Sequence, residues 1–125
     1  MTAETSPAPA PPPPDAGTIG IESFRALALR VVRIVEAKDH PNADRLYVLS
    51  IEGPDGERRQ VVAGIKPFYT KEELAGRTAV AVWNLKPARL RGVESQGMLL
   101  AATSPDGAVR LVAPDRDLPP GSAVS

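Results

Sequence analysis

The segment 84–98 constrains this chain more than any other, because Pro87, Gly92 and Gly97 interrupt it. None of the three belongs inside a regular helix or an uninterrupted strand. The segment lies between two apolar runs, 78–83 and 98–103, that read as buried strands. A turn-rich break held at both ends by sheet predicts a surface loop. Lys86, Arg89 and Arg91 fall within six positions of it, so the loop is cationic and suited to clamp something anionic and extended.

Upstream, the apolar runs are short, rich in Val and Ile, and separated by turn residues, which predicts strands over 27–37, 46–51 and 58–63. Ile21 and Phe24 read as a short lead-in turn. Both sides of the 27–37 strand mix apolar and charged residues, which a curved barrel strand with a partly covered outer face tolerates. His40-Pro41-Asn42-Ala43-Asp44 is a turn in which Pro41 fixes one dihedral and Asn42 or Asp44 bonds nearby amides. No Ser, Cys or second His stands near His40, so it reads as a packing or capping residue and not a catalytic base. Gly53-Pro54-Asp55-Gly56 closes a hairpin. Thr70 with Glu73 forms a capping box opening a short helix that Gly76 stops. Strands over 78–83 and 98–103 follow, and 108–112 adds a hairpin closed by Ser104-Pro105-Asp106-Gly107. Three strands, a short helix and two further strands predict an all-β fold, a five-stranded Greek-key barrel. Phe24, Tyr47 and Trp83 are assigned to its core. Phe68 and Tyr69 stay open between core packing and stacking on bases.

A chain of 125 residues suits one domain, placed over 17–125. Residues 1–16 hold six of the 14 prolines and are expected to form a disordered or polyproline-like tail, most simply a spacer. With no cysteine and only His40, disulfides, a thiolate nucleophile and a multi-histidine metal site are excluded. No apolar run nears the roughly 18 residues of a membrane span, and no export signal opens the chain. A cytoplasmic protein without membrane or cofactor is expected. Phosphate-cradling and dinucleotide glycine motifs are missing, and the pair Glu72-Glu73 sits at a helix start where carboxylates are structural. Binding, and not catalysis, is the class of function left.

The formal net charge is zero, but its distribution is uneven. Residues 24–91 carry 13 Lys or Arg against 8 Asp or Glu, a balance of +5, whereas 92–125 carry 2 against 4. Association follows the local potential of a patch more than the chain total. Arg89 and Arg91 can meet phosphates bidentately and Lys86 supplies a mobile point charge. Asn84 and Gln96 could read a base edge or a ribose hydroxyl and Ser95 could donate to phosphate, unless these polar groups only close turns. Arg30, Arg33 and Lys66 extend the patch if their strands adjoin it. Aromatic residues are only 4% of the chain, which favours a shaped RNA over a long single strand as ligand.

The run Asn84-Leu85-Lys86-Pro87-Ala88-Arg89-Leu90-Arg91-Gly92-Val93-Glu94-Ser95-Gln96-Gly97-Met98-Leu99-Leu100-Ala101-Ala102 resembles the signature of the structure-recognising tRNA-binding domain. That domain occurs in free-standing tRNA-binding proteins, at the C-terminus of many methionyl-tRNA synthetases and in multisynthetase accessory proteins. Val61-Val62-Ala63-Gly64-Ile65-Lys66-Pro67-Phe68-Tyr69, Glu72-Glu73-Leu74-Ala75-Gly76, His40-Pro41-Asn42-Ala43-Asp44-Arg45-Leu46 and Leu29-Arg30-Val31 extend the similarity over roughly residues 21 to 121. The resemblance implies an oligonucleotide-binding (OB) fold that grips tRNA by shape and raises the affinity of an associated aminoacyl-tRNA synthetase, methionyl foremost. Lys86, Arg89 and Arg91 inherit the backbone contacts; Lys66, Asn84, Ser95 and Gln96 inherit lesser ones. It also implies a homodimer paired through a C-terminal extension over 106–124, with Val109, Leu111 and Leu118 at the interface. The chain departs from the family pattern at Ala28 and Val32, which stand where Asp and Gly are usual. A protein-binding chaperone of a related branch, or a module that only docks on a synthetase, are the alternative functions.

Overall fold

The strand that gathers the others is β1 (Leu29–Asp39). In the computed structural model, which describes residues 17–125, its first half pairs antiparallel with β4 (Thr78–Val82) and its second half with β2 (Tyr47–Glu52). The tail expected over 1–16 lies outside the described residues. β3 (Arg58–Ala63) adds to β2, and β7 (Met98–Leu99) adds to β4, giving the order β3-β2-β1-β4-β7. This is the expected near-closed five-stranded barrel, consistent with an OB-fold. A short C-terminal strand, Ala123–Val124, lies against Leu29 and Arg30, on the stretch of β1 that β2 does not reach.

The mixed parity of β1 has a local cause. Its register slips between Ile34 and Glu36, so Ile34 faces Ile51 while Ala37 faces Leu49. Such a bulge inserts one residue and exchanges the faces beyond it. Val32 and Ile34 therefore enter the core before the slip and Ala37 packs on it afterwards. Charged Glu36 and Lys38 are turned outward to solvent.

The core joins Val32, Ile34, Leu49, Ile51 and Val61 from the strands to Leu74 of the helix Lys71–Leu74. Each is essentially inaccessible to water, and burying a side chain of this size is worth about 1.5–3 kcal/mol. The helix opens as its sequence requires: Thr70 Oγ1 accepts the Glu73 amide, and the Glu73 carboxylate accepts the Thr70 amide. Tyr47 is core as expected. Its hydroxyl donates to the Tyr69 carbonyl at 2.7 Å, and the Tyr69 hydroxyl accepts the Leu111 amide at 2.9 Å. Tyr69 is therefore a core residue, and Phe68 is half-buried against the same cluster.

Three expectations are corrected. Phe24 is not in the core but 37% exposed on the helix Ile21–Arg25, none of whose residues is buried. The fifth strand breaks at Leu100, leaving Ala101–Thr103 to pair with Val109–Leu111 in a separate hairpin. Val109 and Leu111 are partly buried against the main core, whereas Leu118 is exposed. The cationic segment is not a loop throughout: β5 (Ala88–Leu90) and β6 (Val93–Ser95) form an antiparallel hairpin.

Trp83 is partly buried between a glycine and a guanidinium. A Cβ on Gly53 would lie 2.5 Å from its indole, and Arg59 stacks on the ring at 3.9 Å. Gly53→Ala should therefore overpack the site and cost about 1–3 kcal/mol, read as a lower urea midpoint with altered fluorescence of Trp83, the sole tryptophan. Ser95→Ala should cost about 1–3 kcal/mol in the same titration, because the Val62 amide that bonds the Ser95 hydroxyl is buried.

Candidate nucleic-acid interface

The hairpin of β5 and β6 turns through Arg91 and Gly92, whose φ angles are +55° and +90°. Positive φ at both central residues makes this a two-residue turn of the primed kind, whose twist matches the strands it joins. Glycine adopts that conformation freely, but an arginine there is strained. Along the hairpin, Leu90 pairs with Val93, Ala88 with Ser95 and Arg89 with Glu94. Alternation then turns Leu90, Val93 and Ser95 toward the body and Arg89 away from it. Lys86, Arg89 and Arg91 are all exposed. Arg89 donates to the Gly92 carbonyl at 3.0 Å. Among the described residues no acidic side chain forms an ion pair with any of the three, although Glu94 stands opposite Arg89.

The base of the hairpin is fastened to the free edge of β3. Ser95 Oγ accepts the Val62 amide at 2.9 Å and donates to the Gly97 carbonyl at 2.9 Å. Gln96 Oε1 accepts the Gln60 amide at 2.9 Å, the Gln96 amide donates to the Gln60 carbonyl at 2.8 Å, and Gln60 Nε2 donates to the Glu94 carbonyl at 2.8 Å. Side chains thus satisfy strand-edge groups that would otherwise lack partners. The tip is fastened to the turn after β1. His40, 5% exposed, accepts the Asn42 amide on Nδ1 at 2.9 Å. Its proton therefore sits on Nε2, which donates to the Leu90 carbonyl at 2.9 Å. Asn42 Nδ2 donates to the Arg91 carbonyl at 3.3 Å.

One residue before His40, Asp39 binds two lysines, Lys66 at 3.1 Å and Lys71 at 3.2 Å. The Lys66 hydrogen bond first, and the Lys71 one second, hold the Asp39 carboxyl below its ordinary value. The triad keeps one net positive charge beside the turn that grips the hairpin tip. Among the described residues no group of three or more His, Cys, Asp or Glu is placed to hold a metal, and no helix is long and apolar enough to cross a membrane.

The residues singled out in the sequence fall into three groups. Lys86, Arg89 and Arg91 share the hairpin and its approach, and Lys66 pairs with Asp39, the residue before His40. Asn84, Ser95 and Gln96 use their polar groups internally: Asn84 Oδ1 accepts the Ala28 amide at 2.8 Å and its Nδ2 donates to the Ala26 carbonyl at 2.7 Å. These three close turns and edges. Arg33 donates to the Gly76 carbonyl at 3.0 Å and Arg30 to the Leu29 carbonyl at 3.4 Å. Among the described residues neither bonds to the hairpin. Sequence reasoning missed Asp39, Lys71 and Arg59. Arg59 donates to the carbonyls of Trp83 and Gln96 on either side of the hairpin and pairs with Glu57 at 2.8 Å. No periodicity marks such pairings across 24 to 37 residues, but a basic residue in the middle of a predicted strand was the available signal.

Residues 29–123 match the family described as "Putative tRNA binding domain". Methionine--tRNA ligase of Thermococcus kodakarensis is 49% identical over 106 residues, 85% of this chain and 14% of that protein. Its counterpart in Deinococcus radiodurans is 44% identical over 123 residues, 98% of this chain and 18% of the other. The chain thus spans a small part of the curated relatives it matches. Among solved structures, a MetRS related protein from Pyrococcus horikoshii superposes with a TM-score of 0.80 at 32% identity, covering 87% of this chain and 99% of that one. The chaperone CsaA of Bacillus anthracis superposes with a TM-score of 0.79 at 30% identity, covering 87% and 100%. With this match along most of the barrel, the chain belongs to the tRNA-binding domain family and is a non-catalytic tRNA-binding module.

Proposed function

We propose that the chain grips folded tRNA through the β5–β6 hairpin and assists an aminoacyl-tRNA synthetase, methionyl foremost, in the cytoplasm. The observation that carries this reading is the exposure of Arg89 and Arg91 on a hairpin fixed at both tip and base, and of Lys86 on its approach, with no acidic ion-pair partner among the described residues. Fixed cations lose little freedom on meeting phosphates, so their geometry selects a folded polyanion over a flexible one. Tyr47 and Tyr69 are buried in the core, which leaves few platforms for stacking unpaired bases and favours shape as the feature read. The similarity to methionine--tRNA ligases supports that enzyme as the partner. We further propose a homodimer that covers Ile21, Phe24, Leu27 and Leu118, four exposed apolar side chains. Asn84 ties the residues on either side of Leu27 to the strand end, which holds Leu27 in place.

A second reading, a dimeric protein-binding chaperone, is favoured by the likeness to CsaA and by those same apolar groups. Competition settles between them: unfolded peptide that displaces tRNA, or that binds where tRNA does not, selects the chaperone.

The double variant Arg89→Ala/Arg91→Ala should weaken binding to folded tRNA by about tenfold or more at low salt and lower the salt slope by about 2. Its thermal midpoint should stay close to that of the parent, since both side chains are solvated. Unchanged affinity in a folded double variant rejects the hairpin as the site. Asp39→Asn should act the other way, freeing Lys66 and Lys71 and strengthening binding by roughly twofold to threefold in 50 mM salt. Because the Asp39 pKa is lowered on folding, its stabilisation is present above the ordinary carboxylate value. It is lost as pH falls through the lower folded value. The variant should lack that part of the acid-side decline in a urea series against pH.

A further inference from the structure

We infer that His40 is a positioning residue for recognition: with Asn42 it sets where the hairpin holds Arg89 and Arg91, an assignment that rests on the tRNA-binding reading. His40 reads in the sequence as a packing or capping residue, and the hairpin's cations as the binding groups. The hydrogen bonds join these two features, which lie 50 residues apart.

Both ring nitrogens are used, and both go to backbone. Nδ1 accepts the Asn42 amide, which fixes the tautomer and folds the turn 40–42. Nε2 then has only a proton to offer, and it meets the Leu90 carbonyl, the last residue of β5 before the turn. The side chain of Asn42 takes the next carbonyl, that of Arg91. Successive carbonyls at the hairpin tip are therefore held by one turn. The grip falls on Arg91 at φ +55°, a conformation that arginine adopts at a cost and that outside contacts must maintain. Gly92 completes the turn at φ +90°, a conformation that glycine adopts without strain.

Without the tip anchor the hairpin would hang from its base alone, on Ser95 and Gln96. Arg89 and Arg91 would then sweep a range of positions, and binding would have to order them. The barrel does not need the bond from Nε2: Leu90 is only half-buried and lies outside the core cluster. A contribution to stability and a contribution to positioning can thus be separated.

Two substitutions divide the ring's two bonds. His40→Asn keeps an acceptor near the place of Nδ1 for the Asn42 amide but is too short to reach Leu90. His40→Gln can place an amide N–H near the position of Nε2. Both are compared with the parent and with Arg89→Ala/Arg91→Ala for affinity to folded tRNA and salt slope. Amide hydrogen exchange over residues 88–95 and thermal unfolding are followed in parallel. In His40→Asn we expect exchange in the hairpin to rise by about tenfold and tRNA affinity to fall by about tenfold, with exchange in β1, β2 and β4 unchanged. His40→Gln should bring both readouts back toward the parent. The inference is overturned if His40→Asn leaves hairpin exchange or affinity unchanged, or if it speeds exchange throughout the barrel. It is also overturned if His40→Gln, folded, behaves as His40→Asn does. If His40→Asn loosens the hairpin but Arg89→Ala/Arg91→Ala leaves affinity untouched, the hairpin-binding reading fails and the recognition role of His40 with it.

Discussion

The outer edge of β3 is closed largely by side chains, with one backbone bond from the Gln96 amide to the Gln60 carbonyl. Its Val62 amide is satisfied by a serine hydroxyl, and its Gln60 amide by a glutamine carbonyl. An open sheet edge is a template for unwanted pairing, and its buried amides are costly without partners. Ser95 and Gln96 meet both needs while belonging to the segment that carries the cations. Barrel closure and presentation of the basic hairpin are thus one set of bonds. Ser95 and Gln96, which read in the sequence as contacts for a ligand, are therefore also braces: the Ser95 hydroxyl and the Gln96 side-chain oxygen are taken up at the barrel edge.

Electrostatics follows from the same arrangement. The chain is neutral overall, yet its acids and bases are partitioned by contact. Glu57 holds Arg59 and Asp39 holds Lys66 and Lys71, so these cations act through a local balance instead of a full charge. Exposed pairs of this kind add little stability, on the order of 0–1 kcal/mol. Their effect is to shape the potential: the hairpin retains its charge while its surroundings are attenuated. A patch defined by a few fixed cations discriminates by spacing, whereas a broad basic surface would attract any polyanion.

Much of this was legible in the sequence because it depends on local rules. The capping box at Thr70, the turn at 53–56, the strands of Val and Ile and the interruption at Pro87 each follow from propensities of neighbouring residues. The bulge at Val35 was not legible, since a register slip depends on which partner residues face the strand. Phe24 reads as core because a small barrel with few aromatic residues needs some of them inside, but it is 37% exposed on a five-residue helix that has no buried residue. The segment reads as a loop because Pro87, Gly92 and Gly97 interrupt it, and the hairpin at 88–95 escapes notice because one of its turn residues is Arg91, a poor indicator of positive φ. The anchor that makes this turn possible, the side chains of His40 and Asn42, comes from far away in the chain.

The aromatic residues bear on how such a barrel can recognise RNA. Single-strand binders of this fold class offer rings to successive bases. Here Tyr47 and Tyr69 link strands through their hydroxyls, Phe68 packs on the core, and Trp83 lies between Gly53 and the Arg59 guanidinium. A base could reach Trp83 only by displacing Arg59, whose loss would also break the bonds to the Trp83 and Gln96 carbonyls. Stacking on Trp83 therefore competes with the bonds that close the barrel, whereas phosphate contact at the hairpin displaces only water and the Arg89 bond to the Gly92 carbonyl. On that difference the fold is better suited to reading the outline of a folded polyanion than the sequence of an open one.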